Sequence, residues 1–316
     1  MIVTVTPNPS VDRALDLDAL AVGEVNRAHA THVHPGGKGI NVSRALVAQG
    51  HATRAVLPAG GPDGELLVRL LQEQGVPARA VPVTGETRSN ITLVERTGVT
   101  TKVNAPGPRL GAADVDALLA AVELELASGA RLVVGAGSLP RGAGEDFFVR
   151  LAALAGRHGV PCALDTSGAP LEAAVAAGGL AVVKPNDEEL GALVGRDLVV
   201  VGDVVDAART VVARGTHEVL VSLGAHGALL VAADAVWWAG GPPLVPASTV
   251  GAGDTTLAGF LAAADDDAPT RLAAAVAWGR AAVLLPGTAV PAPADLHLDD
   301  VRVVEEPDPD LALKEL

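Results

Sequence analysis

The sequence has no tyrosine, one cysteine and few rings of any kind: three Trp and three Phe among 316 residues. A core without rings must be filled by many small aliphatic side chains. Hydrophobic residues make up 49% of the chain, mostly Ala, Val and Leu, which lies far outside the disordered range. The lone Cys162, in Val160-Pro161-Cys162-Ala163-Leu164, excludes an internal disulfide and reads as a buried thiol in a reducing compartment. No general base lies near it in sequence, so a nucleophilic role is not expected. Positive charge is also short: the formal net charge of −14 argues against a nucleic-acid surface, although a few converging cations could still hold one phosphate. No apolar run reaches the ~20 residues of a membrane span, and Met1 to Thr6 lacks the basic-then-apolar pattern of a secretory signal. The expectation is a cytoplasmic protein with neither nucleic acid nor membrane as partner.

Several nucleotide and metal motifs are missing as well. A Walker A loop would need Gly where His32 stands, and Lys38 is followed by Gly39 rather than Ser or Thr. The dinucleotide fingerprint fails at Thr256, where a third Gly belongs, and none of the eight His falls in a His-Glu-x-x-His pattern.

What is present is strand-helix alternation. Ile2 to Val5, Ala52 to Leu57, Arg131 to Val134, Val160 to Leu164, Leu180 to Val183 and Glu218 to Ser222 read as strands; Gly64 to Gln74, Ala113 to Leu126 and Val204 to Ala213 read as helices. That order predicts an α/β fold with a mostly parallel central sheet and helices on both faces. Ligand sites in such sheets lie beyond the carboxyl ends of the strands. Two segments break the alternation. Residues 11–33 alternate apolar and polar without a helical period, and 89–103 read as a hairpin turning at Thr97-Gly98, so together they predict a small projecting sheet. The acidic, Pro-containing tail from Glu305 is expected to be loosely held.

Two segments carry chemistry. In Ser248-Thr249-Val250-Gly251-Ala252-Gly253-Asp254-Thr255-Thr256, small residues at a helix start would let backbone amides face an anion. Asp254 in the first turn could take a proton from a hydroxyl, although the same residues also suit an ordinary helix N-terminus. In Pro35-Gly36-Gly37-Lys38-Gly39-Ile40-Asn41, the glycines would let backbone approach a ligand before a helix from about Gly39 to Gln49, and Asn41 offers both donor and acceptor. A tight turn with a solvated Lys38 is the plainer alternative.

Together these segments resemble the signatures of the ribokinase-like (phosphofructokinase B type) carbohydrate kinases. Lys184-Pro185-Asn186-Asp187-Glu188-Glu189, Ser222-Leu223-Gly224-Ala225-His226-Gly227, and Ala281-Ala282 with Pro286-Gly287-Thr288 match further family elements in the family's order. The resemblance implies a three-layer ribokinase-like fold, one domain over 1–316, with a β-sheet lid from about 11–33 and 89–103. It implies ATP and Mg²⁺, with Asp254 as catalytic base and the amides of Gly251, Ala252 and Gly253 as anion hole. Asn186 and Glu189 would organise Mg²⁺ largely through water, and Lys184, Asn186, Ser222, Gly224, Gly227 and Gly287 would lie along the nucleotide. Lys184 has two readings, a nucleotide contact or a strand-end residue with only a neighbouring role, and Asp165 either joins the metal-water network or makes an Asx turn. Asp12, Gly37, Lys38, Asn41, Arg88, Lys102 and Ser138 match substrate positions, with Lys38, Arg88 and Lys102 gripping the phosphate of a phosphorylated ketohexose. The acceptor the resemblance implies is the C6 hydroxyl of fructose 1-phosphate, with tagatose 6-phosphate or fructose 6-phosphate as the alternatives. A non-catalytic phosphosugar sensor would be expected to lack the base or metal residues. A homodimer through the lid follows by analogy.

Overall fold

The computed structural model describes all 316 residues. The chain opens with β1 (Ile2–Val5), runs out into β2 (Ser10–Leu17) and β3 (Ala30–Gly36), and returns through α1 (Lys38–Ala48) to β4 (Thr53–Ala59), α2 (Gly61–Glu73) and β5 (Ala78–Pro82). It leaves again as a hairpin, β6 (Arg88–Glu95) and β7 (Thr100–Asn104), before α3 (Ala112–Ala127), β8 (Leu132–Ala136), α4 (Phe147–Arg157) and β9 (Cys162–Asp165). Then follow α5 (Ala169–Ala177), β10 (Val182–Val183), α6 (Asp187–Val194), α7 (Val201–Ala213) and β11 (Glu218–Ser222). The last elements are β12 (Ala228–Val231), β13 (Val236–Gly240), α8 (Ala252–Ala262), α9 (Ala268–Val283) and β14 (Arg302–Glu305).

Ten strands form the main sheet in the order β14-β13-β12-β11-β10-β9-β8-β1-β4-β5. Neighbours from β11 to β5 are parallel, and β12, β13 and β14 extend that edge antiparallel. The first six expected strands all belong to it; the three antiparallel strands were not legible in the alternation. Both faces are covered, so the strands are apolar on both sides. Val3, Val5 and Val133 point into one core with α3, α4 and α7. Ile2, Leu132 and Val134 point into the other with α1, α8 and α9. Cys162 lies fully buried in the first core, where desolvation pushes its thiol up to about 12. It is an inert packing residue.

The order of strands reverses at β1: β4 and β5 lie to one side of it, and β8 to β11 to the other. The carboxyl end of β1 is therefore a topological switch point, where the loops on either side part and leave a crevice.

The second sheet has the order β3-β2-β6-β7. Register places Asp12 opposite Asn90, Asn90 opposite Asn104, and Thr92 opposite Lys102. By the two-residue period of strands, Ser10, Asp12, Arg88, Asn90, Lys102 and Asn104 share one polar face, while Leu15, Val33, Ile91, Leu93 and Val103 share the other. Arg13 of β2 anchors the sheet to α2 through a two-pronged contact with Asp63, one oxygen at 2.8 Å, and Ser89 joins the same carboxylate at 2.7 Å.

The tail departs from expectation. Residues beyond Glu305 dock on the main core: Leu311, Leu313 and Leu316 pack against it, and the carbonyls of Leu311 and Pro309 accept from Val201 N and Gly202 N at 2.9 and 2.8 Å. The tail thus satisfies amides at the start of α7 that would otherwise lack partners. Its acidic and Pro residues disguise a leucine at every second or third position.

Candidate active site

Two helix starts meet at the switch point. At α1, a side chain at Gly37 would strike Thr6 Cγ2 at 2.6 Å, and one at Gly39 would strike Thr6 Oγ1 at 2.5 Å. Only glycine lets this turn close against the end of β1, and Gly37 also sits at φ 124°. At α8, Gly251 precedes the helix in a left-handed conformation at φ 79°, and the Ala252 amide, expected in the anion hole, donates back to the Thr249 carbonyl at 3.4 Å. The amides of Gly253 and Asp254 have no hydrogen-bond partner in the protein. They and the helix dipole present partial positive charge at this end of α8.

Asp254 lies in the first turn of α8, 7% exposed, and its Oδ2 accepts a 2.8 Å hydrogen bond from Asn41 Nδ2 on α1. Burial, reinforced by the negative charge of Asp165, pushes its pKa up to about 7, against the opposing pull of Asn41, Lys38 and Lys184. A carboxyl group held at that value can exchange a proton near neutrality.

Asp165, at the end of β9, is the hub of the charge arrangement. It is fully buried, with Lys38 Nζ 2.6 Å from Oδ1 and Lys184 Nζ 3.0 Å from Oδ2. Its burial opposes ionisation, but the two ammonium groups outweigh that and hold its pKa below the usual carboxylate range. Burial likewise opposes the charge on Lys38, and Asp165 overcomes it, so the lysine stays firmly protonated. Lys184 Nζ comes to 3.3 Å from where a side chain at Gly253 would begin, which places this ammonium beside the free amides of α8. Two cations and a helix terminus thus converge on one spot, next to a carboxyl group with a neutral-range pKa.

The structure regroups some of the expected residues. Lys38 is tied to Asp165, whereas Arg88 and Lys102 lie on the polar face of the second sheet and make no ion pair. Arg88 is half-buried and donates to the carbonyl oxygens of Asn8 and Ala105 at 3.0 to 3.2 Å. Asn8 reaches Ser138 Oγ at 3.4 Å, and Gly137 lies against the stem of Lys38, so Arg88, Ser138 and Lys38 border one continuous surface. Asp12 is held by Ser10 Oγ at 2.7 Å and Asn90 Nδ2 at 3.0 Å. Asn41, expected at a sugar hydroxyl, is engaged by protein at each end of its amide, Nδ2 donating to Asp254 and Oδ1 accepting from Arg44 at 3.2 Å.

Asn186 and Glu189 form a reciprocal capping box on α6: Asn186 Oδ1 accepts from Glu189 N at 2.6 Å, and Glu189 Oε2 accepts from Asn186 N at 3.0 Å. No group of three or more His, Cys, Asp or Glu is placed to cage a metal. The remaining Glu189 oxygen, beside the Asp165 and Lys38 pair that its charge reaches, suits a cation retaining most of its water, as Mg²⁺ does. Ser222 ends β11 and bridges to Asn186; Gly224 and Gly227 shape the turn after it, with Gly227 pressed on the Ala239 carbonyl. Gly287 follows α9, whose Val283 carbonyl accepts from Ala247 N and Ser248 N and so anchors the loop entering α8. Asp165 as hub and Arg44 as a contact of Asn41 were not assigned from sequence. The only signal for Asp165 was its position at a strand end.

A family model described as pfkB family carbohydrate kinase matches residues 5–295. The chain is 40% identical over 270 residues to a 1-phosphofructokinase of Xanthomonas campestris, covering 84% of this chain and 85% of that one. It is 38% identical over 291 residues to the ATP-dependent 6-phosphofructokinase isozyme 2 of Escherichia coli, covering 91% and 94%. Among solved structures, the tetrameric inhibited form of Escherichia coli phosphofructokinase-2 superposes with a TM-score of 0.83 at 37% identity, covering 91% and 95%. No helix is long and apolar enough to cross a membrane.

Proposed function

The chain belongs to the pfkB family of carbohydrate kinases, and from that premise we propose that it transfers the γ-phosphoryl group of ATP to the C6 hydroxyl of fructose 1-phosphate, giving fructose 1,6-bisphosphate and ADP. The observation that carries the chemistry is Asp254: a buried carboxyl group with a pKa pushed up to about 7, beside free helix amides and two lysines. Similarity to 1-phosphofructokinases supports the choice of sugar phosphate.

In this reading Asp254 accepts the proton of the attacking hydroxyl through Oδ1, since Oδ2 is engaged by Asn41. The amides at the start of α8, with Lys184 and Lys38, offset charge on the transferring phosphoryl oxygens. Asp165 holds both lysines in place and keeps Lys38 charged, because its own ionisation is secured by them. Asp12 orients the sugar, and Arg88 and Lys102, cations without a carboxylate partner, take its existing phosphate. Glu189, with Asp165 nearby, would hold Mg²⁺ through water, and when bound the ion supplies charge neutralisation to the phosphates. Ser222, Gly224, Gly227 and Gly287 line the nucleotide. The lid sheet closes over the substrate and excludes water, and its apolar face pairs with a second copy.

A second reading, the same chemistry on fructose 6-phosphate, is favoured by the similarity to isozyme 2 of the 6-phosphofructokinase. Tagatose 6-phosphate is a third acceptor of the same geometry. A coupled ADP-release assay with MgATP against these three sugars and unphosphorylated fructose separates them. Highest kcat/KM on fructose 1-phosphate is expected; a higher value on another phosphosugar would replace the substrate and keep the mechanism.

A further inference from the structure

We infer that Arg44 and Gln74 are positioning residues for the proton-accepting carboxyl group, acting through the amide of Asn41; this rests on Asp254 being the base. The observation is a run of three hydrogen bonds from an exposed side chain to the reacting group. Gln74 Oε1, at the end of α2, accepts from Arg44 Nε at 2.7 Å. Arg44 Nη1 donates to Asn41 Oδ1 at 3.2 Å, and Asn41 Nδ2 donates to Asp254 Oδ2 at 2.8 Å.

The direction of this run is fixed by chemistry. An amide can present either end to a neighbour, and its two orientations differ little in shape. A guanidinium has five donors and no acceptor, so Asn41 must turn its oxygen to Arg44. Its NH₂ is then forced toward Asp254, where an ionised carboxylate can only accept. Without Arg44, the amide is free to present its oxygen to Asp254, an arrangement that repels the carboxylate and favours the protonated acid. Arg44 thus holds Asn41 in the orientation that favours the base form and leaves Oδ1 for the sugar hydroxyl.

Packing alone gives a poor account of Arg44. It is 7% exposed, and no carboxylate lies within ion-pair distance of it. Its hydrogen-bond partners are two neutral amides, and its other neighbours across a cavity of about 170 Å³ include Val47, Ala48, Val76 and Val290. Burying a cation in such surroundings costs stability that an apolar side chain of the same length would not. The charged and titratable groups that reach Arg44 are Asp12, a longer-range counter-charge, and His34, whose pKa is held below its ordinary value by burial and then by the Arg44 charge. Gln74 lies outside the crevice on another helix, and its role is to hold the guanidinium plane through Nε.

The test is the pH dependence of kcat/KM, at saturating MgATP, on whichever phosphoketohexose the enzyme turns over fastest. Wild type is compared with Arg44→Met, Asn41→Ala, the double variant, Gln74→Ala and Asp254→Asn. In Arg44→Met and in Asn41→Ala the acidic limb is expected to move up by about one pH unit, and kcat/KM at pH 7 to fall about fivefold, with KM for ATP within about twofold of wild type. The double variant is expected to match Asn41→Ala alone, because Arg44 then has no amide to orient. A stationary limb in Arg44→Met overturns the inference, as does a shift in the double variant equal to the sum of the singles, which would mark a plain charge effect. Gln74→Ala alters an exposed neutral residue, so a limb shift there cannot come from lost charge; a shift of about half a unit supports the relay. Should Arg44→Met fail to fold, an unmoved limb in Gln74→Ala overturns it. Near-normal turnover in Asp254→Asn would instead remove the base assignment itself; lost turnover there with a stationary limb in Arg44→Met removes the relay alone.

Discussion

Asp254 concentrates two opposing demands, because the burial that tunes it also makes its ionisation costly. As a base it must be deprotonated, so kcat/KM should rise about tenfold per pH unit below pH 7 and level off above it. Stability runs the other way. A folded-state pKa raised above its unfolded value gives stabilisation that is complete below the ordinary carboxylate range and is lost as pH rises through about 7. Asp254→Asn carries no such penalty, so it should match wild type near pH 4 and exceed it at pH 8 by on the order of 2–4 kcal/mol in denaturant unfolding. The same variant should lose about 10²- to 10⁴-fold in kcat while still binding ATP, measured by ADP release and by nucleotide titration. Near-wild-type turnover would take Asp254 out of the mechanism. Sequence spacing pointed to Asp254 because it lies within one contiguous segment. Asp165 and Arg44 matter through contacts made only across the fold: Lys38 meets Asp165 at a separation of 127 residues, and Asn41, which Arg44 contacts, meets Asp254 at 213.

At the scale of elements, the start of α8 and the second sheet do different work. Gly251→Ala places a side chain at φ 79° and should cost about 1–2 kcal/mol while tilting the free amides, so both melting temperature and kcat should fall. Lys102 on β7 is exposed and makes no hydrogen bond, so Lys102→Ala should leave stability within about 0.5 kcal/mol of wild type. If it holds the substrate's phosphate, KM for the phosphosugar should rise about tenfold with kcat nearly unchanged; an unchanged KM would release Lys102 from that role. The hairpin that carries Lys102 was legible from its alternation and its Thr97-Gly98 turn. The docked tail was not. Its leucines follow no regular period and gain their partners only from α7 and the main core, so composition alone suggested a loose end.

For the whole molecule, the reversal of strand order at β1 gathers the ends of β1, β8, β9 and β10 with the starts of α1 and α8 into one crevice. The second sheet then turns a polar face carrying Asp12, Arg88 and Lys102 away from an apolar face carrying Leu15, Ile91, Leu93 and Val103. Val103 is 58% exposed, and Val22 and Val25 in the loop between β2 and β3 are more exposed still. Covering this face by a second copy predicts twice the chain mass by light scattering at working concentration, and Val103→Asp together with Leu93→Asp should return the monomer mass. A monomer mass for the wild type would refute the pairing.

The sequence by itself determined the class of fold, because an alternation of apolar strands and amphipathic helices has few packed solutions, and it marked the two glycine-rich helix starts, because their backbone requirements are local. It also supplied the family, since the motifs stand in order along one chain. Only the tertiary structure decided which charges meet. The pairing of Lys38 and Lys184 on Asp165, the hydrogen bond from Asn41 to Asp254, and the raised pKa of Asp254 all depend on distances across the sheet and on burial, which no local pattern encodes.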